Sequence, residues 1–470
     1  MTNKTAYFWG GLGRFIPMLV HMVTTMVLAR FLSPSEFGMI GMLSIIFMVA
    51  NNLLDAGLGG SLINEKSATK ADCDTIATFN ILMGALLSII IMILSGRIEV
   101  FFKVNGLGEV TAILSIIFFI NSWGVVPRAI LAKDLKFRAI FISSFLSACF
   151  GSISAIVLAA YNFGVYSLVA LQLVQSIVLI LASIYYSHYW YKPYFSLIRF
   201  KHLLPFGIYT TFSNIIDSIY ENMLSALFGK HLGATEAGLV YQAKRIEEIA
   251  SVSLTQTINS VAFPVLAKCS SNTSVFISEA KSIFRNIMLL ISPIFVILIV
   301  FSETIIKILF GSKWIDAAPY LALLTCASIF VTMENLYRNF IKSSGQAKSL
   351  FTITVIKRSI GVILLISCVL ISCQYIIYAY ILSSIIAYII NVFQYTRIVR
   401  LSFLSTLGTG LIYLLPTILF FFSIGGVSLI TDQIIISASI SVIFYLSYYF
   451  WILPRYFGLS IVNLLKKNEK

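Results

Sequence analysis

The stretch "VLARFLSPSEFGMIGML", Val27 to Leu43, returns 200 residues later as "LFGKHLGATEAGLVYQA", Leu227 to Ala243, and both copies stand between long apolar runs. At that offset Arg30 falls on Lys230, Leu32 on Leu232, Glu36 on Glu236 and Gly38 on Gly238. Each copy holds a short polar turn between two apolar helices, so the repeat marks the first hairpin of a duplicated helical bundle. A second match at an offset of 210 sets Arg128 of "PRAILAKDLKF" on Arg338 of "YRNFIKSSGQA". It falls at the end of the fourth span of each half.

The bundle belongs in a membrane. Of 470 residues 59% are hydrophobic and only 11% charged, and the mean hydropathy of +0.94 is beyond what a water-facing globular surface accommodates. Apolar stretches of about 18 to 25 residues recur along the chain, each long enough to cross roughly 30 Å of hydrocarbon as a helix. They predict spans near 8–30, 37–63, 76–95, 110–131, 139–160, 164–186, 203–229, 235–267, 284–303, 319–341, 349–371, 375–396, 405–424 and 434–456. The fold class is therefore an all-α integral membrane protein of about 14 transmembrane helices. Two pseudo-symmetric six-helix lobes, 1–200 and 201–400, are followed by helices 13 and 14 with a tail, 401–470. An even number of spans per lobe makes the repeat parallel, related by an axis along the membrane normal.

Lysine and arginine in short loops set orientation. With the N-terminus inside, about 24 of the 33 basic residues fall on the cytoplasmic side and about six on the other, so both termini are expected in the cytoplasm. The net charge of +14 is spread over many inner loops, which fits topology and anionic lipid and argues against nucleic acid. Six cysteines, Cys73, Cys149, Cys269, Cys326, Cys368 and Cys373, show no C-x-x-C spacing and read as free thiols. The N-terminal run lacks the cleavage site of a removable signal peptide. H-E-x-x-H, P-loop, G-x-S-x-G and Cys/His metal patterns are absent from the sequence, which argues against an enzyme and against a bound cofactor or metal.

Ionisable groups at bilayer depth are expensive, about 2.5 to 3.5 kcal/mol each on an insertion scale, and normally face a cavity or a partner. "SNIIDSIYENML" puts Asp217 and Glu221 one turn apart on a single face of span seven. "YQAKRIEEIASVS" opens span eight with Lys244, Arg245, Glu247 and Glu248. These charges either neutralise one another across the hairpin, with Lys244 and Glu248 also an i, i+4 pair, or form a cationic site beside a titrating carboxylate. Arg14 lies two turns into span one, Pro17 is placed to bend that helix, and His21 reads as a hydrogen-bonded packing residue. Asp55 in "NNLLDAGLGGSL" precedes glycines that allow local unwinding, and is either an end cap or a site residue. Arg128 and Arg338 sit where they snorkel as anchors or bind. Glu334 is spaced to pair with Arg338, Lys357 and Arg358 read as anchors of span eleven, and Trp314 of "FGSKWIDAAPY" reads as an interface residue with Pro319 opening the next helix.

"VLARFLSPSEFGMIGML", "DAGLGGSLI", "PRAILAKDLKF", "FGIYTTFSNIIDSIYENMLSALFGKHLGATEAG", "VAFPVLAK" and "FGSKW" occur here in this order. Up to about Tyr320 the chain resembles the Wzx-type polysaccharide-export flippases of the multidrug/oligosaccharidyl-lipid/polysaccharide (MOP) exporter superfamily, which includes the MATE transporters, and in particular the colanic acid exporter branch. The resemblance implies transport of an undecaprenyl-diphosphate-linked oligosaccharide, such as an O-antigen, capsule or exopolysaccharide unit, from the cytoplasmic to the outer leaflet of a bacterial inner membrane. It implies a cationic cleft for diphosphate and sugar, for which Arg14, Lys244, Arg245, Arg128 and Arg338 are the candidates. Asp217, Glu221, Glu247, Glu248 and Asp55 are the candidates for charge pairing or for coupling to a proton or Na+. Membrane lipids and the polysaccharide polymerase and chain-length machinery are the implied partners. After "GLVYQA" relatives of that branch continue with apolar and proline residues, whereas this chain writes "KRIEEIA". Two other readings stand beside the flippase: a multidrug or cation antiporter of the same superfamily, for which the cavity should be acidic, and a non-transporting scaffold for polysaccharide assembly.

Overall fold

A computed structural model describes residues 3–65, 68–269, 272–344 and 347–412. The helices are α1 (Asn3–Phe31), α2 (Pro34–Asp55), α3 (Leu58–Asn64), α4 (Lys70–Phe102), α5 (Leu107–Ser122), α6 (Val125–Lys133), α7 (Phe137–Ala160), α8 (Tyr166–Ser187), α9 (Leu197–Leu232), α10 (Ala234–Cys269), α11 (Thr273–Val300), α12 (Ser302–Leu309), α13 (Ala318–Ser343), α14 (Ala347–Ile371), α15 (Ile376–Val399) and α16 (Phe403–Ile412). The first twelve expected spans each find a helix, in order. Among the described residues nine are long and apolar enough to cross a membrane, and α5 with α6, bent by 43°, makes a tenth. Helices α9 and α10, of 36 residues each, reach about 54 Å at 1.5 Å per residue, ample for a bilayer. The charges that weaken their hydropathy are the candidate site residues. Span thirteen is represented by α16; the rest of it, and span fourteen, lie outside the described residues.

The helix ends follow the sequence. Pro34 opens α2 in its first turn, and the Ser33 amide donates to the Glu36 carboxylate at 2.6 Å, a capping arrangement that the motif "SPSE" encodes. Thr69 and Asp72 build the same box at α4, where the Thr69 amide donates to Asp72 at 2.8 Å. Pro319 sits in the first turn of α13 as expected, and α1 continues as one helix through Pro17.

The chain divides into two compact units. Unit 1 comprises Met1–Gln242 with Lys307–Asp316 and Leu365–Ile376; unit 2 comprises Ala243–Ile306, Ala317–Leu364 and Ile377–Lys470. In unit 1, α4 pairs with α5, α7 with α8 and α1, and α2 with α9. Helix α7 buries a stripe of small residues, Ser143, Ser147, Ala148, Gly151, Ser152, Ala155 and Ala159. Such a stripe lets helices approach closely where no hydrophobic effect drives them together. It brings the Thr24 hydroxyl of α1 within 2.5 Å of the Ser152 hydroxyl, and Gln175 of α8 within 3.1 Å of the His21 ring. His21 thus has the packing hydrogen bond that its position suggested. Unit 2 is built on an aromatic core in which Phe284, Met333, Tyr337, Tyr388 and Tyr395 pack together across α11, α13 and α15.

The repeated turns end up against each other inside unit 1, Pro34 to Gly38 beside Ala234 to Gly238. Around them, each copy's first helix is tied to a segment from the other half of the chain. Arg30 of α1 donates to the Ile308 carbonyl at 2.8 Å, Lys313 to the Arg30 carbonyl at 3.0 Å, and the Trp314 indole to the Ala29 carbonyl at 2.9 Å. These donors satisfy last-turn carbonyls that have no partner within the helix. Reciprocally, the Lys230 ammonium of α9 lies 3.7 Å from the centre of the Phe101 ring. Trp314 is therefore not an interface residue. It is fully buried, edge-on to Phe37 with ring centres 5.3 Å apart, because its one polar group has found a carbonyl and needs no water.

Candidate functional site

Two helices of unit 1 break, and their second pieces, α3 and α6, pack together. Helix α2 stops at Asp55, Ala56 and Gly57 take positive φ of 45° and 68°, and α3 starts at Leu58. The glycines after Asp55 permit this unwinding, as the sequence suggested. Asp55 caps the new helix by accepting from the Gly59 amide at 3.2 Å. In the fourth span the break falls at Trp123 and Gly124. Interrupted helices are the recurrent framework of substrate sites in transporters, since they free backbone dipoles and gather polar side chains at membrane depth.

Polar residues collect at both breaks. Asn121 of α5 donates to Asn51 of α2 at 3.3 Å, and Asn52 donates to the Ser218 hydroxyl of α9 at 2.8 Å. Beside Ser218, Asp217 is half-buried, with Glu221 exposed one turn on. The Arg128 side chain spends its Nε on the Gly124 carbonyl at 3.0 Å. Its side chain remains accessible, and Asp55 is near enough to act on its charge.

In unit 2, Lys244 pairs with Glu248 at 3.5 Å along α10, and Arg245 is half-buried. Glu247 faces the interior instead: it is buried and accepts from the Ser251 hydroxyl at 2.5 Å, with Ser328 of α13 also in reach. Sequence spacing alone could not separate these two faces of "KRIEE".

The sequence reading of Lys357 and Arg358 as anchors does not hold. The Lys357 side chain is 0% exposed and pairs with Glu334 of α13, and Arg358 is buried. Asn391 of α15 donates to the same Glu334 oxygen at 2.8 Å. A lysine in the interior of a helix facing a carboxylate cannot reach the interface, so it gives up hydration for the pair. Arg338, half-buried, and Arg358 both act electrostatically on Glu334, so three cations surround one carboxylate. Arg14 lies on α1, and its side chain is outside the described residues.

Solved transporters share this architecture. The lipid II flippase MurJ in an inward closed conformation superposes with a TM-score of 0.73 at 16% identity, over 94% of this chain and 99% of that one. An inward-facing multidrug resistance MATE family transporter of the MOP superfamily gives 0.67 at 16% identity, over 83% and 98%. The chain belongs to the polysaccharide biosynthesis protein family, whose profile matches residues 27–319. It is 26% identical over 351 residues to the teichuronic acid biosynthesis protein TuaB of Bacillus subtilis, covering 73% of this chain and 71% of that protein. To the lipopolysaccharide biosynthesis protein WzxC of Escherichia coli it is 25% identical over 352 residues, 74% and 71% of the two chains. It is a multi-pass membrane protein of the polysaccharide biosynthesis family with the fold of solved transporters.

Proposed function

We propose that this protein is a flippase that carries an undecaprenyl-diphosphate-linked oligosaccharide from the cytoplasmic to the outer leaflet of a bacterial inner membrane by alternating access. The observation that carries the reading is Arg128, an accessible cation at the start of α6, where two broken helices pack together. A site of that kind suits a diphosphate and is wrong for a small cationic drug. The relatives' names and the family support a polysaccharide substrate, and the cations around Glu334 supply unit 2 with positive charge of its own. Arg14, Lys244, Arg245 and Arg338 remain proposed substrate-facing cations, and a proton or Na+ the coupling ion, with Asp217, Glu221 and Glu247 as the carboxylates to respond. Lobes at 1–200 and 201–400, helices 13 and 14 in 401–470, and both termini in the cytoplasm belong to the same proposal.

The test is reconstitution in liposomes with a lipid-linked oligosaccharide, reading how fast the sugar becomes accessible on the opposite side with and without a pH or Na+ gradient. Gradient-accelerated movement is the expected result. No movement of several sugar lipids by folded protein, together with gradient-driven uptake of a small organic cation, overturns the flippase in favour of an antiporter.

A further inference from the structure

Between α8 and α9 the chain reads "HYWYKPYFSLIRFKH", His188 to His202, and residues 189–196 have no helix. Exposed connecting segments are usually polar, and this one is aromatic. Trp190 is 75% exposed, Tyr194 46% and, at the first turns of α9, Ile198 84%. Lys192 and Lys201 are exposed among them and have no ion pair among the described residues.

The exposure is not slackness, because the opposite side of the segment is pinned to α4. The Tyr189 hydroxyl donates to Asp74 at 2.6 Å, and the Lys192 amide donates to the same oxygen at 3.3 Å. Thr78 donates to the Tyr194 carbonyl at 2.8 Å, and Arg199 donates to Asp72 at 2.7 Å. Burial and the bond to Asp74 push the Tyr189 phenol up from its ordinary value, so it stays a donor across the physiological range. Tyr189, Tyr191, Phe200 and Leu203 then pack with Leu58 and Leu62 of α3 and Val126 and Ala129 of α6. One side of the segment is thus part of the core that holds the two broken helices, while the other presents rings, aliphatic groups and lysines.

We propose that residues 188–202 are a membrane-surface element that seats its aromatic face in the headgroup layer and binds anionic lipid headgroups through Lys192 and Lys201. Three features single out lipid. The segment begins where the membrane helix α8 ends, so it starts at interface depth. Rings with a polar tip and lysines with a long stem suit that depth. It also lies on the side to which the distribution of lysine and arginine assigns the cytoplasm, where anionic headgroups concentrate. Through Tyr189, Tyr191, Phe200 and Leu203 the attachment extends to α3 and α6, so headgroups at the surface steady the helices that position Arg128.

The proposal is tested on the full-length protein in vesicles of phosphatidylcholine with and without phosphatidylglycerol, and its readouts need no transport. The fluorescence of Trp190, taken as the difference between the protein and its Trp190→Phe variant, should be quenched by lipids brominated near the top of the acyl chain and shielded from aqueous iodide. Retention of phosphatidylglycerol by the protein should fall about fivefold for each lysine removed in Lys192→Gln and Lys201→Gln. Quenching of Trp190 by iodide and not by the brominated lipid would overturn the proposal and mark the face as a site for a soluble partner. So would unchanged phosphatidylglycerol retention in the double variant.

Discussion

Gly38 and Gly238 meet backbone to backbone. A Cβ on Gly238 would overlap the Pro34 carbonyl oxygen and stand 3.0 Å from the Gly38 amide nitrogen, and a Cβ on Gly38 would overlap the Ala234 carbonyl oxygen and stand 3.0 Å from the Gly238 amide nitrogen. The two contacts exchange when 200 is added to or taken from each number, as a local two-fold relation requires. The duplicated turn is therefore an interface with itself, and its glycines are fixed by contact between main chains.

Alanine at either position tests this with a change of sign. In a free helix, Gly to Ala stabilises by about 1 kcal/mol. Here the added methyl meets backbone, which cannot rotate away, so Gly238→Ala should destabilise by about 1 to 3 kcal/mol or more. Thermal unfolding in detergent reads the sign directly. A stabilised Gly238→Ala protein would mean that the turns stand further apart.

Trp314 separates two contributions. Trp314→Phe keeps a buried ring against Phe37 but removes the donor to the Ala29 carbonyl, at a cost of about 1 kcal/mol. Trp314→Ala also opens a cavity, at about 3 to 5 kcal/mol. The same unfolding assay should rank them in that order, and equal losses would show that the indole bond carries the contact.

Much of this was legible in the sequence, for physical reasons that can be stated residue by residue. Hydropathy marks spans because hydrocarbon demands it, "SPSE" and Pro319 mark helix starts because they satisfy or omit free amides, and the repeat marks the hairpins that pair. The break at Ala56 and Gly57 was signalled by glycine. The break at Trp123 and Gly124 was hidden in an apolar run, as was the bond between Asn51 and Asn121, since nothing local links residues 70 positions apart. Lys357 and Trp314 were misplaced for one shared reason. A charge or an indole beside an apolar run reads as an anchor unless its partner is known, and both partners, Glu334 and Ala29, lie on other helices.

The Glu334 cluster should respond asymmetrically to losing one partner or the other. Lys357→Met leaves the carboxylate facing Arg338 and Arg358, which already act on it. Glu334→Gln leaves three cations with no carboxylate between them, while the Asn391 amide keeps its bond to the backbone carbonyl of residue 334. Removing one member of a buried pair costs about 3 to 5 kcal/mol, and Glu334→Gln should fall at the upper end with Lys357→Met below it. Combining the two should recover part of the loss in a double-mutant cycle. Equal losses in the single variants would show that the arginines do not compensate.

Arg128 is the sharpest test of the transport reading. Its Nε is committed to the Gly124 carbonyl, which leaves the two terminal nitrogens of the guanidinium to meet an anion. Lysine carries its three donors on one nitrogen and has no planar fork to set against an anion while another nitrogen holds the carbonyl. Arg128→Lys should therefore lose most of what Arg128→Ala loses, although charge is conserved. A hydrogen bond to a charged group is worth about 1.5 to 3 kcal/mol, so translocation of the lipid-linked sugar should slow by about tenfold to a hundredfold in both variants. Their size-exclusion profiles and melting temperatures should stay close to the parent's, because the bond to Gly124 lies within one helical turn and ties no two helices together. If Arg128→Ala carries the sugar lipid at the parent rate in the liposome assay, the diphosphate does not pass by Arg128 and the broken helices.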